Sequence, residues 1–300
     1  MAGSTEHRAV FDFRVAFTNG GELTGTGFRL DVPRAEVTTD EVGQLLLRRL
    51  GLLMAGTVEL RDCRIVAEAH REPSPAARAP ATRRLVDVSH PISHGMVTYP
   101  GLPGPEIADH LTRDAAERAY GPGVRFQIGR ISMIANTGTY LDSPFHRFDG
   151  GVDLAGLPLE KLAALDGVLV RLSGSRTRAI DVAELAPYDV AGRAVLLHTG
   201  WDRHWGTPAY GVDAPFLTAA ATQWLVAQGA ALVGIDSINI DDVDDRSRPA
   251  HTGLLGAGIP IVEHLCRLSE LPVSGFAFHA APPAVEQFGT FPVRAYAVIG

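Results

Sequence analysis

Asp142 and His146 stand four residues apart, with Pro144 between them, just after the apolar run Ile131-Ser132-Met133-Ile134 breaks into Asn136-Thr137-Gly138-Thr139-Tyr140. A carboxylate that close to an imidazole can fix its tautomer for general acid/base work, or join it in holding a metal ion. The same pair also suits an aspartate that closes a turn beside a surface histidine. Distant features favour chemistry. Asp236-Ser237-Ile238-Asn239-Ile240-Asp241-Asp242 sets several acceptors after an apolar run, His251 falls in a Pro249-Ala250-His251-Thr252-Gly253 loop, and Glu263 follows twelve residues later. The spacing predicts a helix over 259–268 with Pro260 in its first turn, and a carboxylate on so apolar a helix needs a partner.

These residues need rigid supports. Short apolar runs bounded by turn residues, at 167–172, 194–199, 231–235, 275–278 and 295–299, read as sheet-core strands. Residues 218–228 read as an Ala-rich helix closed by Gly229. The pattern predicts a mixed α/β fold. Ahead of it, residues 9–17 alternate as a half-buried strand and Asn19-Gly20-Gly21 reads as a hairpin turn into a second strand through Phe28 and Leu30. Thr38 or Thr39 can then cap a helix carrying Val42, Leu45, Leu46 and Leu50, and Val58–Ala67 returns as a strand. Residues 1–70 therefore form a small ββαβ domain, the proline-bearing stretch 71–84 a linker, and 85–300 the catalytic domain.

Composition excludes several classes of function. With 46% hydrophobic and 20% charged residues, the 300-residue chain can bury a large core. A formal charge of −7 without a dense arginine cluster argues against nucleic acid and anionic membranes as partners, leaving a small-molecule substrate. Cys63 and Cys266 alone give neither a disulfide framework nor a thiolate zinc site, so a metal would rest on His, Asp or Glu. No stretch resembles a signal peptide or a membrane span, and a cytoplasmic protein is expected. The single lysine, Lys161, sits in a surface-type segment beside Glu160, which disfavours Schiff-base chemistry.

Residues 85–300 resemble the cyclase family that includes bacterial kynurenine formamidase and isatin hydrolase. The resemblance rests on Asp87-Val88-Ser89-His90-Pro91-Ile92-Ser93, Tyr99-Pro100-Gly101, the loop from Asn136 to His146, Thr199-Gly200-Trp201, Gly234-Ile235-Asp236-Ser237, Pro249-Ala250-His251 and Ile261-Val262-Glu263. It implies a swivelling β/β/α domain, a homodimer or homotetramer, and a mono- or dinuclear metal site that activates water to open an amide or lactam.

The family's central motif, His-x-Gly-Thr-His-x-Asp-x-Pro-x-His, is matched here by Gly138, Thr139, Asp142, Pro144 and His146. Its two leading histidines are replaced by Asn136 and Tyr140. In the family those histidines join the aspartate on the primary metal, and the last histidine acts as acid or base. The positions implied for a second metal, His251 and Glu263, are present. Neutral Asn136 is a poor substitute for imidazole, and Tyr140 could bind a cation only after losing a proton held to a pKa of about 10.

The leading reading is therefore a metal-independent enzyme without a cofactor, closing a ring on a carbonyl substrate or dehydrating it, in specialised (natural-product) metabolism. His146, Asp142, Tyr140, His251 and Glu263 are its catalytic candidates, and Asn136, Trp201, His94 and Ser237 its substrate contacts. The alternative keeps one Zn or Mn ion on Asp142, His251 and Glu263 and hydrolyses an amide, lactam or lactone. A third reading is an inactive ligand-binding or scaffold protein.

Overall fold

A computed structural model describes residues 5–18, 21–52, 55–69, 83–175 and 177–300. The chain divides into two compact units, one of Met1–Arg83 with Val182–Asp189, the other of Arg84–Asp181 with Val190–Gly300. The turn at Asn19-Gly20 and most of the linker assigned to 71–84 lie outside the described residues.

The first unit holds β1 (Thr5–Phe17), β2 (Glu22–Val32), α1 (Thr39–Leu50) and β3 (Ala55–Ala69), with β1 central in an antiparallel sheet of order β2-β1-β3. This is the expected ββαβ order. Thr38 caps α1 through a capping box with Glu41: its hydroxyl accepts from the Glu41 N–H while the Glu41 carboxylate accepts from the Thr38 N–H, satisfying two donors the helix leaves open. Val42 and Leu46 of α1 are buried against Phe11, Phe13 and Val15 of β1, the face selected by alternation in the strand.

The second unit begins with β4 (Arg84–Asp87), β5 (Glu106–Leu111), α2 (Arg113–Tyr120), β6 (Ile128–Ser132), β7 (Tyr140–Asp142), β8 (Leu165–Arg171) and β9 (Ala179–Ile180). The short helix α3 (Val182–Leu185) groups with the first unit. There follow β10 (Ala194–His198), β11 (Phe216–Leu217), α4 (Ala219–Gln228), β12 (Leu232–Ile235), α5 (Pro249–Gly256), β13 (Ile261–Glu263), β14 (Phe276–His279), β15 (Thr290–Pro292) and β16 (Tyr296–Ile299).

The described residues form a nine-stranded mixed sheet of order β15-β7-β13-β12-β10-β8-β14-β16-β4. Its middle strands β8, β10, β12 and β13 are parallel, and β10 and β12 are buried along their whole length. Both faces of such strands are covered, so they read as continuous apolar runs without alternation. Gly167 is required within this core, because a Cβ there would stand 2.0 Å from the Phe276 ring. α4 starts at the Thr218 cap and ends on left-handed Gly229, as expected.

Two expectations are corrected. The stretch 259–268 is no helix: its centre, Ile261–Glu263, is β13, paired parallel with β12 and antiparallel with β7. Burial on both faces removes the polar face that distinguishes a helix, and β-branched Ile261 and Val262 favour the strand. Conversely, the loop assigned around His251 is helix α5, with Pro249 in its first turn, where its missing N–H costs no internal bond.

Candidate active site

The register of three strands assembles the site. β7 lies between β13 and β15, with Tyr140 opposite Glu263 and Asp142 opposite both Ile261 and Thr290. Residues two apart on a strand share a face, and directly opposed residues meet across it. Tyr140 and Asp142 thus present one row of polar groups flanked by Glu263 and Thr290. The turn before β7 depends on Gly138 at φ +66, a left-handed conformation costly to a side chain. Its N–H donates to the Thr98 hydroxyl at 2.7 Å, and the neighbouring Thr139 hydroxyl accepts from the His90 N–H and donates to the His264 carbonyl.

The Thr290 hydroxyl donates to Asp142 Oδ1 and lies 2.7 Å from His146 Nδ1. A hydroxyl has one proton, so with that proton on Asp142 the His146 Nδ1–H is the donor, leaving Nε2 as its free acceptor. His251, on α5, is fixed likewise: its Nδ1–H donates to Asp241 Oδ2 at 2.6 Å. Its Nε2 then faces Asp142 Oδ2 and Glu263 Oε1, each at 3.7 Å. Asp142 Oδ2 is buried with no hydrogen-bond partner among the described residues.

Charge follows from this packing. Burial pushes the Glu263 carboxyl up to about 7, against the pull of His251. Burial opposes ionisation of Asp142 too, yet His251, His146 and Thr290 together hold its carboxyl below the usual range. Burial would lower His251, but the nearby Asp142 carboxylate, its bond to Asp241 and the field of Glu263 hold it up at about 10. The Tyr140 phenol is pushed well above its ordinary value by burial and by Glu263 and Asp142, so it stays neutral. Its O–H donates to Glu263 Oε2 at 2.6 Å, and His264 Nε2 stands behind it at 3.3 Å.

Two carboxylates converging on one imidazole nitrogen, with an unpartnered buried oxygen among them, suit a divalent cation. Ligands about 2.1 Å from a tetrahedral ion lie about 3.4 Å apart, close to the separations at His251 Nε2. Among the described residues, the set whose ligand atoms all lie within 4.8 Å of one another is Asp142, His146 and His251, without Glu263. Asp142, His146 and His251 therefore fit a divalent cation of the kind the resemblance implies.

A cavity of about 340 Å³ opens onto these groups and is lined by Asn136, Tyr140, His146, His251 and Glu263 among others. Five of the expected site residues thus share one cavity, and Asp142, wholly buried, stands 3.7 Å from His251, which lines it. The other three are placed elsewhere. Trp201 turns its indole N–H to the Tyr210 carbonyl within an apolar cluster, His94 accepts from the Ile107 N–H through Nδ1, and Ser237 is wholly buried. Thr290 was missed, since nothing local distinguishes a threonine 144 residues from His146. The role of Asp241 was hidden among the neighbouring aspartates.

A mixed sheet carrying a convergent His and carboxylate centre in a small cavity is an arrangement that suits an enzyme. A family model described as putative cyclase matches residues 86–242, just over half of the chain, and the protein belongs to this Cyclase family. Kynurenine formamidase of Bacillus cytotoxicus is 27% identical over 211 residues, covering 70% of this chain and 95% of that protein. A solved structure described as a potential metal-dependent hydrolase with cyclase activity is 26% identical, with a TM-score of 0.61 over 73% of this chain and 98% of its own. Isatin hydrolase A from Ralstonia solanacearum superimposes with a TM-score of 0.64 at 22% identity, over 78% of this chain and all of that one, a likeness of fold. Together with the converging donors, these relatives fit the metal-dependent alternative better than the metal-free ring closure expected from the two replaced histidines. Among the described residues, no helix is long and apolar enough to cross a membrane.

Proposed function

We propose that the protein is a metal-dependent hydrolase that opens an amide, lactam or lactone bond of a small carbonyl compound. The observation that carries this reading is His251 Nε2, freed by the bond from Nδ1 to Asp241 and set 3.7 Å from both Asp142 Oδ2 and Glu263 Oε1. A divalent cation held by Asp142 and His251, with His146 or Glu263 beside them, would supply Lewis-acid polarisation of the carbonyl and a water acidic enough to attack at neutral pH.

The chain's own residues supply the rest. His146, one-third exposed at the cavity, takes a proton on Nε2 while Nδ1–H stays on Thr290, and returns it to the leaving nitrogen or oxygen. Asp142 Oδ1, through Thr290, stabilises the charged ring as it forms. Tyr140 holds Glu263 by its phenol O–H, and the Ile240 N–H holds the other Glu263 oxygen at 2.7 Å. Asn136 lies within hydrogen-bond reach of the same phenol and can meet a substrate oxygen.

Elemental analysis of protein purified without chelator, paired with assays on formanilide, isatin and a simple aryl lactone, tests the reading. About one zinc or manganese per chain and turnover that stops with chelator and returns with metal are expected. Full turnover of any of these compounds by metal-free protein would overturn it.

A further inference from the structure

Arg147 follows His146 directly, and Arg248 precedes His251 by three residues at the start of α5; both line the same 340 Å³ cavity. The Nε–H of Arg147 donates to the Thr252 hydroxyl at 3.2 Å, tying the His146 loop to α5 and leaving both Nη groups without a partner among the described residues. Arg248 sits at φ 52, a strained backbone for an arginine. Its Nη1 donates to Asn239 Oδ1 at 3.2 Å and to the Asp242 carbonyl at 3.4 Å. These partners are neutral. Arg14, Arg125, Arg178 and Arg267 each pair with a carboxylate, whereas neither cavity arginine has one within ion-pair distance among the described residues.

A guanidinium facing a cavity without a counter-ion is a place for an anion, and its planar fork matches a carboxylate. The carboxylates of the site cannot fill that role: Asp142 is committed to Thr290 and His251, and Glu263 to Tyr140 and Ile240. Building on the hydrolase reading above, we infer that the substrate is an organic acid, its carboxylate bound by Arg147 and Arg248 while its scissile carbonyl reaches His146 and His251. Tyr99 and Leu102 give the same cavity apolar surface for the connecting carbon skeleton. The two guanidinium groups share the cavity with Glu263, which favours an acid held with its carboxylate away from Glu263.

The test separates recognition from turnover. Binding of benzoate and of benzamide to the full-length protein is measured by calorimetry, beside kcat and KM for 2-formamidobenzoate and 2-formamidobenzamide. A carboxylate bound by charged hydrogen bonds should be preferred about 10- to 100-fold over the amide. The Arg147→Gln/Arg248→Gln protein should lose that preference, its KM for the acid rising toward that for the amide, and Arg248→Lys should keep part of it. Unchanged metal content and melting temperature would show that the variants fold. Equal affinity for acid and amide, a preference that survives in the double variant, or no binding of either probe would overturn the inference. Hydrolysis of the neutral amide with no acid preference would sink the inference and leave the hydrolase reading standing. Arginine-dependent benzoate binding without any hydrolysis would do the reverse.

Discussion

The Nδ1 of His251 lies 2.6 Å from Oδ2 of Asp241, whose other oxygen accepts from the Ala250 N–H, also at 2.6 Å. One buried carboxylate therefore both caps the first turn of α5 and decides which imidazole nitrogen faces Asp142 and Glu263. Residues that orient a ligating histidine in this way are worth about 10–100-fold in metal affinity. Asp241→Ala should weaken zinc binding by about that factor, with activity restored by excess zinc, as read by titration against a competing chelator. Unchanged affinity would show that the ring is held by packing alone.

Thr290 makes a different prediction, since it touches the proton carrier through Nδ1. Thr290→Val keeps the shape but loses the hydroxyl that joins Asp142 Oδ1 to His146. Because a positioned acid/base contributes about 10²–10⁴-fold, His146→Ala should cost kcat by about that much and Thr290→Val a part of it. Metal content should stay at the wild-type level in both, and Thr290→Ser should restore turnover. Loss of metal from His146→Ala would instead make His146 a ligand, as its place beside Asp142 and His251 allows.

Much of this site was legible because apolar runs mark strands and polar residues at their ends stand out. Asp142 and His146 were identified that way, His251 from its loop and Glu263 as a carboxylate in an apolar segment, and α4 announced itself through Thr218 and Gly229. The misread elements have physical causes. β13 is three buried residues long, too short to show a period, and α5 opens on a left-handed arginine whose own side chain does not cap it. Thr290 and Asp241 act through pairings across strands or turns, which composition cannot reveal. The two replaced histidines pointed away from a metal, yet the register that sets Tyr140 opposite Glu263 preserves the carboxylates and His251 that could hold one.

Asp236 links the fold to pH. It is wholly buried, accepts from the Thr199 N–H and hydroxyl and the Gly200 N–H, and is nevertheless raised by burial to about 7. In the unfolded chain it titrates near 3.8, so between these values the folded state holds the extra proton. Its contribution to stability is complete below pH 3.8 and is lost as pH rises through 7. Urea unfolding of metal-free protein at pH 5 and pH 8 should show a loss of about 2 kcal/mol that is missing from Asp236→Asn. Equal pH dependence in both proteins would place the titration elsewhere.

Gly289 packs directly against the backbone of His146. A Cβ at this residue would stand 2.4 Å from the His146 nitrogen, 2.5 Å from its Cα and 2.9 Å from the Phe145 carbonyl carbon. All three are backbone atoms that cannot rotate aside. The Gly289 carbonyl accepts from the Ser143 N–H at 2.7 Å and the adjoining Phe288 carbonyl from the Leu154 N–H, so the strand cannot retreat without losing these bonds. Gly289→Ala must therefore push the His146 turn, a rearrangement that costs about 1–3 kcal/mol in a packed interior. Since Asp142, His251 and Glu263 sit on other elements, zinc content should hold while kcat falls at least about tenfold, a displacement of the proton carrier by a fraction of its hydrogen-bond length being enough. Gly150→Ala, with nothing within 4 Å of the added carbon, is the matched control and should leave turnover and melting unchanged. Wild-type kcat in Gly289→Ala would mean that the turn carrying His146 does not need its present position for catalysis.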